Sequence, residues 1–260
     1  MSKNHSPNSK TPYIDPSNQT SARMKTFSFL ILALSVSMVS CNFLSQKTVQ
    51  GDGEMSLEAR TIGEFTQLEV AGNFTVKHSI SSEPSLEINA ESNLMEHIKT
   101  ELKNGRLEIS TPQNIRLRPQ KDIEILLTGQ ELEVLSLLGS GSVLVDKMDG
   151  ENVRVSLNGS GNVFANVEAG EIKASLNGSG QITLDGEVPT ADFSLNGSGT
   201  IRASGLSAGE LKASIRGSGE VFCNVISTLD VSITGSGKVL YSGNPEVNEQ
   251  ITGSGKVVRN

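Results

Sequence analysis

The sequence predicts an all-β fold whose C-terminal half is a flattened, two-sheet β-solenoid, a parallel β-helix with about 19 residues per coil. Three features point to it. Gly-Ser-Gly recurs seven times, at Gly139-Ser140-Gly141, Gly159-Ser160-Gly161, Gly178-Ser179-Gly180, Gly197-Ser198-Gly199, Gly217-Ser218-Gly219, Gly235-Ser236-Gly237 and Gly253-Ser254-Gly255, in steps of 20, 19, 19, 20, 18 and 18 residues. Two residues before each copy stand Leu137, Leu157, Leu176, Leu195, Ile215, Ile233 and Ile251; two after stand Val143, Val163, Ile182, Ile201, Val221, Val239 and Val257. Four residues before, Leu135, Val155, Ala174, Phe193, Ala213 and Val231 extend the pattern, and Glu249 breaks it. Even spacing is the period of a strand with one buried face, whereas a helix needs spacings of three and four.

Odd positions carry the opposite chemistry. Ser136, Ser156, Ser175, Ser194, Ser214 and Ser232 stand three residues before the motif, and Asn158, Asn177 and Asn196 one residue before it. Stacked rung on rung, they form polar ladders on the solvent side. The paired glycines suit a sharp corner between strands about 4.8 Å apart, because glycine reaches positive φ and has no Cβ to meet the rung above. A flexible Gly/Ser linker would lack the flanking Leu, Ile and Val. Mid-repeat glycines at Ala169-Gly170-Glu171, Asp185-Gly186-Glu187, Ala208-Gly209-Glu210 and Ser242-Gly243-Asn244 predict a second reversal, leaving two strands of about six residues per coil.

Upstream, residues 55–132 are β-rich but irregular, with strands expected at Phe65–Val70, Phe74–Ile80, Leu86–Ala90, Arg106–Ser110 and Ile123–Leu127. Asn93–Leu102 reads as one short helix, with Leu94, Ile98 and Leu102 on one stripe. Asn114–Lys121, near Pro112 and Pro119, reads as a protruding loop. This half is expected to supply wider coils that cap and start the solenoid, with 55–260 one continuous domain and a separate small sandwich the alternative. At the other end, Lys238, Lys256 and Arg259 suit protection of an exposed strand edge, and a homo-oligomer covering that end is the other reading.

The N-terminus is a targeting region. Phe27–Val39 is an uncharged apolar run of 13 residues preceded by Arg23 and Lys25, too short to span a bilayer and suited to a signal peptide over residues 24–40. It ends in Met38-Val39-Ser40-Cys41, which resembles a bacterial lipobox and makes Cys41 the lipid attachment site; an ordinary secreted protein with an incidental cysteine is the alternative. Residues 1–23 read as a disordered extension, or as sequence upstream of a natural start at Met24, and residues 41–54 as a tether. The net charge is −7, and residues 1–40 hold four basic and one acidic residue, so the remainder stands at −10. That balance excludes nucleic acid and leaves membrane attachment to the lipid.

Chemistry is sparse. The only other cysteine, Cys223, falls on the inward alternation, and the three histidines, His5, His78 and His97, all lie outside the repeats. Gly235-Ser236-Gly237-Lys238 and Gly253-Ser254-Gly255-Lys256 lack the first glycine and the Ser/Thr of a phosphate-binding loop. The turns lack the Asp of calcium-binding β-rolls, and Asp185, Glu187 and Asp192 read as a solvated surface rather than a metal cluster. With no Trp and two Tyr, sugar-stacking platforms are poorly provided for. The expectation is a non-enzyme without cofactor or metal.

The segments Phe65-Thr66-Gln67-Leu68-Glu69-Val70, Phe74-Thr75-Val76 and Leu107-Glu108-Ile109, with the Ser-Leu-Asn-Gly-Ser-Gly copies at Ser156, Ser175 and Ser194, resemble the bacterial head GIN domain family of putative auto-transporter adhesins over residues 60–258. The resemblance implies a right-handed β-helix, an adhesion role, and no catalytic residues to carry over. The expected function is a lipid-anchored cell-envelope module for adhesion or surface interaction, with a protein or surface glycan as partner. The alternatives are a periplasmic accessory that binds another protein and, more remotely, a glycan-active enzyme.

Overall fold

The computed structural model describes residues 1–2 and 46–260. The apolar run Phe27–Val39, Cys41 and nearly all of the polar stretch before them lie outside the described residues. The chain forms β1 (Lys47–Gln50), β2 (Met55–Arg60), β3 (Gln67–Gly72), β4 (Thr75–Ile80), β5 (Ser85–Glu91), β6 (Lys99–Lys103), β7 (Arg106–Ser110), β8 (Ile115–Arg118) and β9 (Glu124–Gly129). Then come β10 (Val134–Gly139) and five strands that each run a whole coil: β11 (Ser142–Gly159), β12 (Asn162–Gly178), β13 (Gln181–Gly197), β14 (Thr200–Gly217) and β15 (Glu220–Gly235). The final elements are β16 (Lys238–Gly243), β17 (Glu246–Gly253) and β18 (Lys256–Arg259).

The strands break at Gly-Ser-Gly, and the seven copies form one column: Gly139 lies opposite Gly159, followed in register by Gly178, Gly197, Gly217, Gly235 and Gly253. Gly178 shows why glycine is required. Its φ is 132°, and a Cβ there would collide with the Gly159 carbonyl. At Gly180 the added carbon would lie 2.7 Å from Cδ2 of Leu157. The close approach is also the hydrogen bond: the Gly159 carbonyl accepts from the Ser179 N–H at 3.0 Å and the Gly180 N–H at 3.2 Å.

The second reversal differs from expectation. Strand pairing continues through mid-coil, and the four glycines fall in three separate columns: Gly170 and Gly209 align with Pro189, Gly186 with Val167 and Leu206, Gly243 with Val225. The bend is spread over several residues. Val163, Ala165 and Val167 are buried, then Ile172, Ala174 and Leu176, so the inward spacing jumps from two to five between Val167 and Ile172. A gradual bend needs no left-handed residue at a fixed position. Differences in coil length are absorbed here, at register shifts such as Val145/Met148 and Ala203/Ser207, before the strands realign at the corner.

In the N-terminal half, β3 and β4 make a rung directly beneath β10 and β11, with Gly72 opposite Gly139. Gly72-Asn73-Phe74 is thus an eighth corner. Beyond it β7 and β9 form the outermost rung on β3 and β4. The chain therefore makes the second rung first, builds outward, and crosses back to continue at β10. Antiparallel strands finish that end: β6 on β7, β5 on β9 and β2 on β5. Phe65, Leu86, Leu94, Met95 and Ile98 are buried there. So is the Glu91 carboxylate, which accepts from the N–H groups of Gly53 at 2.6 Å and Gln120 at 2.7 Å.

The short helix expected over Asn93–Leu102 is a single 3-10 turn, Met95–His97, followed by β6. Leu94 and Ile98 are buried, but Leu102 is exposed. The Arg60 guanidinium donates to the Ile98 carbonyl at 2.7 Å, taking the acceptor that a longer helix would use, and β7 claims the following residues as a strand. The loop expected over Asn114–Lys121 contains β8, which pairs in parallel with β1, a strand within the stretch read as tether.

Two predictions follow from this packing. Gly178→Ala should destabilise by about 3 kcal/mol, through left-handed strain plus displacement of the neighbouring carbonyl; Gly105→Ala, at φ 73° with nothing within 4 Å of the new carbon, should cost about 1 kcal/mol. Equal melting shifts for the two would contradict the corner's role. The second concerns His78, which is buried opposite Val145 and Leu127 with both ring nitrogens unpartnered and the Phe65 ring edge-on at 5.7 Å. Burial pushes its imidazole below the ordinary 6.5, opposed in part by the Asp146 and Glu131 carboxylates. The unfolded chain protonates first, so the contribution is complete above about pH 6.5 and is lost as pH falls toward the depressed folded value. His78→Leu should flatten the melting temperature between pH 7 and pH 5 relative to wild type; parallel profiles would refute the assignment.

Candidate interaction surface

The strands entering and leaving each corner turn alternate residues outward, giving two faces of stacked columns. On the entering face Ser136, Ser156, Ser175, Ser194, Ser214 and Ser232 lie in successive register. Beside them runs the asparagine ladder: Asn177 Nδ2 donates to Asn158 Oδ1 and Asn196 Nδ2 to Asn177 Oδ1, both at 2.9 Å. On the other flank Lys173, Asp192, Lys212 and Asp230 stack with alternating charge. The seven corner serines, Ser140 to Ser254, are exposed along the edge. This face is mostly polar, with short Ser and Asn columns beside the charged one.

The leaving face differs. The third residue after each motif forms the column Leu144, Phe164, Thr183, Arg202, Phe222, Leu240 and Val258. Leu144, Phe164 and Val258 are 43%, 44% and 44% exposed, and the Arg202 guanidinium sits 4.9 Å over the Phe222 ring. Exposed apolar residues are ordinary singly; here Leu144 and Phe164 stack in adjacent rungs, and Phe222, Leu240 and Val258 stack beyond Thr183 and Arg202, and such clusters mark an interaction surface. This column was missed in the sequence, although its signal is present. In Ser142-Val143-Leu144-Val145, Asn162-Val163-Phe164-Ala165 and Glu220-Val221-Phe222-Cys223 the alternation gives way to three apolar residues in a row.

Cys223 and His78 are sealed in the interior. Cys223 is buried, and burial pushes its thiol up to about 12, so no thiolate is on offer. His78 is buried in the outer rungs. Asp185 lies on the leaving strand and Asp192 on the entering strand, apart from one another in register, and among the described residues no group of three or more His, Cys, Asp or Glu could hold a metal ion. The structure places all fourteen repeat glycines in the corner column, while Cys41 lies outside the described residues.

Solved structures share this fold. A putative lipid binding protein from Parabacteroides distasonis is 28% identical, with a TM-score of 0.67 over 82% of this chain and 100% of its own. A putative adhesin from Bacteroides fragilis is 23% identical, with a TM-score of 0.75 over 82% of this chain and 100% of its own. A putative adhesin from Parabacteroides merdae is 22% identical, with a TM-score of 0.64 over 82% of this chain and 99% of its own. No curated protein matches the chain. The family model described as putative auto-transporter adhesin, head GIN domain, matches residues 64–245, more than two thirds of the sequence, and the chain belongs to that family.

Proposed function

We propose that this protein is a lipid-anchored, non-catalytic adhesion module of the cell envelope, exported by the segment around Phe27–Val39 and held at Cys41. The observation that carries the adhesive reading is the outward column from Leu144 to Val258, apolar at five of its seven places, set on a sheet whose every rung is fixed by the corner next to it. A rigid surface loses little conformational entropy when a partner docks, so modest apolar contacts suffice. The partner is a protein or glycan of a neighbouring surface.

The anchor and the surface are tested separately. Cys41→Ala should abolish lipid labelling and move the protein from the membrane to the soluble fraction; retention in the membrane would count against the anchor. Protease treatment of intact cells should cleave the domain, and protection would favour the periplasmic accessory that binds another protein. Phe164→Ser combined with Phe222→Ser should weaken binding of the protein to intact cells about tenfold without lowering its melting temperature. Unchanged binding would remove the apolar column as the contact surface.

A further inference from the structure

The sheet ends in two different edge strands at the N-terminal end of the stack. β6 pairs only with β7 and carries exposed Lys99, Glu101 and Lys103. β2 pairs only with β5, and among the described residues no strand lies on its other edge. An edge strand turns alternate backbone N–H and C=O groups outward, a template for another strand. On β6, and on the last rung with Glu249, Lys256 and Arg259, charge makes such pairing costly. β2 instead presents Met55, Leu57 and Ala59 on its outward face, and Leu57 is 63% exposed, more than any other large apolar side chain in a described strand.

The charged residues of β2 do not guard its edge. Ser56, Glu58 and Arg60 stand opposite Ala90, Ile88 and Leu86 of β5, on the face turned to the interior. There Arg60 Nε donates to Glu58 Oε1 at 2.7 Å, and the same guanidinium donates to the Ile98 carbonyl at 2.7 Å. The strand is also self-complementary. Two copies paired antiparallel about a two-fold axis keep like faces together when one residue faces its own counterpart at the axis. Centring on Ser56 sets Glu54 against the partner's Glu58, and centring on Glu58 sets that carboxylate against its own copy, both repulsive. Centring on Leu57 sets Leu57 against the partner's Leu57, Met55 against the partner's Ala59 and Glu54 against the partner's Arg60.

We propose that β2 is the contact of a homodimer, in which two copies pair antiparallel through this edge with Leu57 at the two-fold axis. The sheet that runs from β2 through β5, β9 and β4 to β11 then continues into the same sheet of the second copy, with both outward faces on one side. The outward column of Leu144 extends through Lys77, Leu126 and Glu87 to Ala59, so the columns of the two copies meet on one face and can engage a surface together. The contact itself stands whether or not that face is adhesive.

Sedimentation of the full chain carrying Cys41→Ala tests the contact, followed to about 100 μM because one strand pair is a modest interface. A dimer is expected. Leu57→Lys and Leu57→Glu should each weaken it about tenfold with melting unchanged, since the side chain is exposed, and an equimolar mixture of the two should restore it. Leu57→Cys should give a disulfide-linked dimer under mild oxidation, whereas Leu102→Cys on the β6 edge should not. A chain that stays monomeric over that range would overturn the proposal, as would equal cross-linking at both positions. A dimer indifferent to Leu57→Lys would overturn it in favour of self-association elsewhere, on the apolar column or the last rung.

Discussion

One contact governs the molecule: the first-glycine carbonyl of each rung against the amides of the next corner. It brings two backbones closer than any side chain allows, so both outer positions of the tripeptide must be glycine. It also fixes register. Every coil, whatever its length, must return to the same point on the edge, and the surplus or deficit is taken up in mid-coil. With the corner pinned, Leu157, Leu176, Leu195 and Ile215 stack one above another in the interior. Each adds about 1.5–3 kcal/mol of burial against its neighbours rather than against a distant core.

A stack of parallel rungs leaves two open ends, and the two are finished differently. At the N-terminal end the added strands run antiparallel, which stops the parallel series and covers the interior with Phe65, Leu86 and Ile98. At the other end no described strand is laid over β17 and β18. Phe193, Ala213 and Val231 are followed in the same column by Glu249, whose exposed carboxylate ends an otherwise apolar series. Lys256 and Arg259 lie on the same last rung. Charge at an edge strand makes further strand addition costly, so the one break in the repeat is a terminator.

How much of this was legible depends on how local each cause is. The solenoid, its period and its inward residues follow from two-residue alternation and paired glycines, signals held within a few positions of each corner. The mid-coil bend misled because a glycine in sequence does not imply a corner in space; Gly170 and Gly186 occupy different columns. The eighth corner was hidden because Gly72-Asn73-Phe74 keeps the first glycine but replaces the second with phenylalanine. The swapped order of the outer rungs, and the 3-10 turn held by Arg60, depend on partners 35 or more residues away. Composition carries no trace of such pairings. The apolar outward column was readable in principle, but runs such as Val163-Phe164-Ala165 look like core until the strand's two faces are separated.

The same constraint explains where variation, and with it recognition, can reside. Corner and inward positions are held by sterics and packing: a carbon added at Gly178 meets backbone, and Ile215 is 1% exposed. Outward positions touch only the rungs above and below, so a column can be serine on one face and phenylalanine, arginine or leucine on the other without disturbing the coil. Most of that surface has its backbone fully paired, and only side chains are left to engage a partner.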